Sequence, residues 1–271
     1  MIKNLKKIIL IDINILKQIK MKNKNILRKI DRQGYLISIW LPLYESILFH
    51  QDVNKVKESL NENLRILNKY LKKATNDVQF FLNLLPNLFN AIINDDNLNN
   101  YISYLENVNE IIIHQHSPKN ICHKIEELAK IAQTYNIQYT HPLFITTLSI
   151  LLGNKIYRKI LKPKQKINKK NIINAVSDIL SLSRTEFIKT IVKKNQTIYT
   201  TPLVKFYTLD KSLNQFLNEF KITSSKHIEN QTIIEINISI NIFPLLKQKD
   251  IDDKIKQDII LKLNSLNLKL N

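Results

Sequence analysis

Glycine is nearly missing from this chain: Gly34 and Gly153 are the only two in 271 residues, which excludes a glycine-rich phosphate-binding loop. Cysteine occurs once, at Cys122, so no internal disulfide framework can form, and a reducing compartment such as the cytoplasm is expected. That thiol has no activating context in the sequence, so nucleophilic cysteine or serine chemistry has no support. Long apolar runs are missing too. The longest uncharged stretch, 131–154, is broken by Gln, Asn, His and Thr and falls short of the ~18 predominantly apolar residues of a membrane span. Lys3, Lys6 and Lys7 precede an apolar run as in a signal peptide, but Asp12 and Asn14 interrupt it and no small-residue cleavage site follows. A soluble, cytoplasmic protein without a membrane partner is expected.

Negative charge is the remaining shortage. Acids number 23 against 41 basic residues, giving a net charge of +18 and a pI near 9.7. Such an excess favours a polyanionic partner, because clustered Lys and Arg release counterions when they meet phosphates. The saturation with Lys, Asn and Ile is also what a coding bias toward A and T produces, so charge alone leaves both readings open. Apolar residues, by contrast, make up 44% of a chain long enough to bury a core.

The apolar pattern predicts strands alternating with helices. Ile8 to Ile11 is a continuous apolar run closed by an acid, as in a strand buried on both faces of a parallel sheet. A helix to about Ile30 follows, then Gly34, a second strand over Tyr35–Trp40 and a helix opened by Pro42. Apolar residues recurring at three and four predict long helices from Asp52 to about Asn94. Ile111 to Ile113 reads as a short strand, Pro118 to Tyr135 as a helix, and Thr140-His141-Pro142 as the capped start of a helix that Gly153 ends. Lys155 to Lys170 reads as a basic connector and Ile172 to Val192 as a helix. Val204 to Leu209 reads as a strand ending at Asp210, Thr232 to Phe243 as a strand or hairpin, and Ile251 to Leu268 as a helix. This order implies an α/β/α three-layer sandwich around a mainly parallel sheet.

In open parallel sheets the functional crevice lies beyond the carboxyl ends of the strands. Asp12 and Asp210 are predicted there. Asp12 stands in Ile-Leu-Ile-Asp-Ile-Asn-Ile-Leu, where an ionised carboxylate needs a partner, a hydrogen bond or a metal. Glu45 shares a helical face with Leu41, Tyr44 and Leu48, which turns it inward or toward a cleft. Converging carboxylates repel one another, and a hard divalent cation, Mg²⁺ or Mn²⁺, is the simplest relief. Each acid also has an ordinary reading: Asp210 as a helix N-cap, Asp178 as a helix-surface acid, Glu45 as half of a buried ion pair.

The segments Leu10-Ile11-Asp12-Ile13-Asn14-Ile15-Leu16, Ile37-Ser38 followed by Glu45, Asn174-Ala175-Val176-Ser177-Asp178-Ile179-Leu180 and Phe206-Tyr207-Thr208-Leu209-Asp210-Lys211 resemble the PIN domain, a family of metal-dependent nucleases. In that family an acid ends the first strand, a second lies on the helix after strand two, a third lines a helix before the fourth strand, and a fourth closes that strand. The resemblance implies that Asp12, Glu45, Asp178 and Asp210 hold Mg²⁺ or Mn²⁺ and hydrolyse RNA phosphodiester bonds, with Asn14 and Thr208 orienting them. It implies a PIN-like domain over 1–220 with a helical insertion at about 52–162, and a C-terminal strand and helix, 221–271, packed on the same domain. An RNA substrate follows, and a protein antitoxin or RNA-processing partner is equally open. The alternative is a PIN-like fold that binds nucleic acid or protein without cutting.

Eight basic residues and no acid lie between Gly153 and Ile172. Arg158, Lys162 and Lys164 among them, with Arg184 and Lys211, are candidate phosphate contacts, though a solvated lysine-rich loop explains the run equally well. His114, His116, Cys122 and His123 lie close together, but their spacing matches no zinc module.

Overall fold

The structure is a computed structural model that describes residues 5–166, 168–194, 202–228 and 231–268. The chain divides into two compact units, one made of 1–95 and 181–211, the other of 96–180 and 212–271. The helices between 52 and 95 therefore group with the sheet, and residues 96–180 belong to the other unit.

In the first unit, β1 (Lys7–Ile11) is followed by α1 (Ile13–Lys20) and α2 (Lys24–Ile30). The single helix expected here breaks because Lys22 takes a left-handed φ of 58° and the Asn23 side chain caps α2 through the Asn25 and Ile26 amides. Next come β2 (Tyr35–Ser38), α3 (Trp40–His50), α4 (Val53–Tyr70), the two-residue β3 (Thr75–Asn76) and α5 (Val78–Ile93). With β4, described below, they form a four-stranded sheet in the order β3-β2-β1-β4, parallel throughout. The run Ile8–Ile11 is buried because β1 is central, flanked by β2 and β4. Register puts Leu36 and Val204 beside Ile8, and Phe206 beside Leu10. That face packs with Leu41 and Trp40 of α3 and with Ile188 and Val192. The Asp31 carboxylate accepts hydrogen bonds of 2.7–3.0 Å from the Lys72, Lys73 and Ala74 amides, tying the entries to β2 and β3 together. Burial would raise its pKa, but the three amides outweigh that and hold it below the ordinary carboxylate range.

The second unit is mostly helical: α6 (Asp96–Ile113), α7 (Ile121–Thr134), α8 (Pro142–Leu151), α9 (Lys155–Leu161) and the first part of α10 (Lys169–Lys194). Ile111–Ile113 is the last turn of α6, not a strand. Leu98, Leu105, Val108 and Ile112 continue the three-and-four spacing of buried positions up to it. The expected basic connector starts as helix α9, because Asn154 caps the Ile156 and Tyr157 amides and Tyr157, Ile160 and Leu161 share a buried face. Every residue of α8 is buried, with Thr146 and Ser149 hydroxyls spent on carbonyls one turn back, which accounts for the long uncharged stretch. After β4 (Leu203–Tyr207) and α11 (Lys211–Glu219), β5 (Lys221–Ile228) and β6 (Gln231–Asn237) form an antiparallel pair. The strand or hairpin expected over 232–243 is thus one arm of a hairpin whose other arm lies upstream, and it gives way to 3-10 turns from Ile240. The closing helix is α12 (Asp253–Ser265). Among the described residues no helix is long and apolar enough to cross a membrane.

Candidate active site

The chain adds β2 and β3 on one side of β1, then returns to lay β4 on the other. In an open parallel sheet, that reversal opens a crevice beyond the carboxyl ends of β1 and β4. Asp12 and Thr208 occupy those two ends. The Asp12 amide extends the ladder by donating to the Tyr207 carbonyl at 3.4 Å. Its carboxylate then divides: Oδ1 accepts from the Ile15 amide at 2.8 Å, capping α1, and Oδ2 accepts from the Thr208 hydroxyl at 2.5 Å. The same Thr208 oxygen accepts the Asp210 amide at 3.0 Å. One hydroxyl therefore ties the Asp12 carboxylate to the Asp210 backbone. Asp210 is half-buried immediately before α11, whose first residue, Lys211, is exposed. Asn14 is exposed in the first turn of α1.

Glu45 enters from α3, half-buried among Leu41, Tyr44 and Leu48, which are buried. Its charge is felt by Arg184. Arg184 is only 8% exposed, with its guanidinium carbon 3.3 Å from the centre of the Tyr44 ring. Burial lowers its pKa, and the neighbouring Tyr44, Asp95 and Glu45 work against that. Arg184 is thus an interior cation, not a surface contact for phosphate, and Glu186 pairs with Lys189. Asp178 lies half-buried on the part of α10 that belongs to the second unit.

A further acid carries no signal in the sequence. Asp77 follows β3, at the carboxyl end of a strand too short to show a pattern. Its Oδ1 accepts the Ile39 amide at 3.0 Å, and it is hydrogen-bonded to Ser38, so it fixes the first turn of the helix that carries Glu45. Burial, working against those hydrogen bonds, pushes its pKa up to about 6.

The predicted phosphate contacts of the second unit differ in role. Arg158 donates from both terminal guanidinium nitrogens to the Ile112 and Ile113 carbonyls, capping the end of α6. Lys162 is the left-handed C-cap of α9, and Lys162 and Lys164 are exposed. Of the histidines considered for zinc, His116 contacts the Ile111 carbonyl and His123 contacts Glu127. Among the described residues no three His, Cys, Asp or Glu side chains lie together as a metal-binding group. Comparison with protein-family models, with the curated proteins and with the solved structures finds no match to this chain.

Proposed function

We propose that the first unit is a PIN-like, three-layer nuclease domain that hydrolyses RNA phosphodiester bonds with the help of Mg²⁺ or Mn²⁺. The observation that carries this reading is the Thr208 hydroxyl, which links the Asp12 carboxylate to the Asp210 backbone amide at the reversal point of the sheet. The donor chemistry fits the ion. Asp12 and Asp210 offer hard carboxylate oxygens from adjacent strand ends, and each Asp12 oxygen keeps an unused lone pair after its one hydrogen bond. When bound, the ion supplies Lewis-acid polarisation of the phosphate and a water of lowered pKa. Thr208 would hold the Asp12 carboxylate and the Asp210 backbone in place, Glu45 would accept a proton or a water hydrogen bond, and Asn14 would steady the mouth of the crevice. Lys211, at the positive end of α11, would draw the phosphate in.

A second reading is favoured by a specific observation. Both Asp12 oxygens already support the fold, and Glu45 sits in the field of Arg184, as in a domain that binds RNA without cutting it. Incubating a mixed pool of single-stranded and structured RNA with wild type and Asp12→Asn, in Mg²⁺, Mn²⁺ or EDTA, separates the two. Metal-dependent cleavage that vanishes in the variant supports the nuclease. Binding with steep salt dependence and no cleavage by either protein sinks it.

A further inference from the structure

The carboxyl ends of the strands carry the acids, and their amino ends carry the opposite charge. Lys24 and Arg28 of α2, Arg32 before β2, and Lys72 and Lys73 before β3 line an open groove of about 870 Å³, with Tyr70 in its wall. All five cations are exposed. Asp31 also lines the groove, but its carboxylate is engaged by the three amides of 72–74. The groove and the acidic crevice lie at opposite ends of one sheet, separated by strands on the order of 15 Å long at ~3.3 Å per residue.

Arginine placement separates this groove from the general excess of lysine. The chain has five arginines: Arg28, Arg32, Arg65, Arg158 and Arg184. Arg158 is occupied by the end of α6 and Arg184 is buried over Tyr44, whereas Arg28 and Arg32 share one concave surface. The guanidinium fork matches phosphate oxygens two at a time, which a lysine does not. Tyr70 adds a half-buried ring with the Lys69 ammonium 5.5 Å from its centre. A cationic track beside an aromatic face is the combination that holds single-stranded nucleic acid: the charges follow the backbone and the ring stacks a base.

We infer that this groove is a binding subsite for the backbone of single-stranded RNA, separate from the acidic crevice. The choice of RNA rests on the nuclease reading, and an acidic peptide is the competing occupant. Fluorescence anisotropy with a labelled single-stranded RNA oligonucleotide, in EDTA to prevent cleavage, compares three proteins. They are wild type, the groove variant Arg28→Gln/Arg32→Gln/Lys73→Gln, and the charge-matched variant Lys57→Gln/Lys130→Gln/Lys249→Gln, which changes exposed lysines elsewhere. Thermal melts establish that all three are folded. The groove variant is expected to bind about tenfold more weakly and to flatten the slope of log Kd against log salt by about 2, at ~0.7 per lost phosphate contact, while the control shifts Kd less than about twofold. Equal weakening in both variants overturns the subsite and assigns binding to net charge. Displacement of the RNA by poly-glutamate as effectively as by unlabelled RNA overturns the choice of ligand. Cleavage assays with Mg²⁺ run beside these keep the two readings apart. Cleavage without groove-dependent binding refutes the groove alone, and groove-dependent binding without cleavage refutes the nuclease alone.

Discussion

Asp12 combines two duties that different substitutions separate. Asn at that position still caps α1 through its carbonyl oxygen, whereas Ala leaves the Ile15 amide unsatisfied and costs about 1 kcal/mol. Asp12→Ala is therefore expected to lower stability in urea unfolding, while Asp12→Asn leaves it nearly unchanged and removes cleavage. Equal destabilisation by both would mean that the charge, not the cap, holds the strand end. Thr208 acts on the acids without supplying a carboxylate. Thr208→Val is expected to slow cleavage on the order of tenfold and Thr208→Ser to restore it, since only the hydroxyl meets Asp12 and the Asp210 amide. If Val and Ser behave alike, the methyl group rather than the hydrogen bonds is what matters.

At the level of elements, α6 is held at its end by an arginine from α9. Arg158→Ala uncovers the Ile112 and Ile113 carbonyls and is expected to cost about 1–2 kcal/mol, read as a lower urea midpoint, with Arg158→Lys recovering part of it. An unchanged midpoint would show that water replaces the guanidinium without loss. The same helix shows where sequence patterns stop being readable. Three consecutive isoleucines look like a strand locally, and only the buried positions one and two turns earlier mark them as helix. β1 was legible because a central parallel strand is apolar throughout, and Asp12 with it, because an acid closing such a run has few innocent explanations. β3 is not legible: two residues cannot display a period, so nothing in the sequence marks Asp77. Lysine-rich α9 reads as a basic connector in one dimension because its charges outnumber its apolar face. Arg184 looks like a phosphate contact in sequence because nothing in one dimension reveals that Tyr44 lies beneath its guanidinium. The hairpin partner of β6 is hidden for a related reason, since β5 carries Lys, Ser and His where an apolar alternation is expected.

For the molecule as a whole, each unit contains a half-buried titrating group with a shifted pKa, and the two act in opposite directions. In the first unit Asp77 has its pKa raised to about 6, so between about pH 4 and 6 the folded form binds more protons than the unfolded one. That unit loses stability as pH rises through this range, by on the order of 1–2 kcal/mol after allowance for solvent screening. In the second unit the His141 Nδ1 accepts the Leu143 amide to cap α8, and burial lowers its pKa to about 4. Its contribution is complete above the ordinary histidine pKa of about 6.5 and is lost as pH falls toward 4, because a protonated ring can no longer accept that amide. The only tryptophan, Trp40, belongs to the first unit and is stacked on Phe81, so its fluorescence reports that unit by itself. Far-UV circular dichroism reports the helices of both. Lowering the pH from 7 to 5 is therefore expected to move the Trp40 transition to higher urea and the dichroism transition to lower urea. Asp77→Asn should remove the first shift alone and His141→Asn, which keeps a capping oxygen, the second alone. Transitions that move together at both pH values, and in both variants, would show that the two units unfold as one and that neither group governs its own.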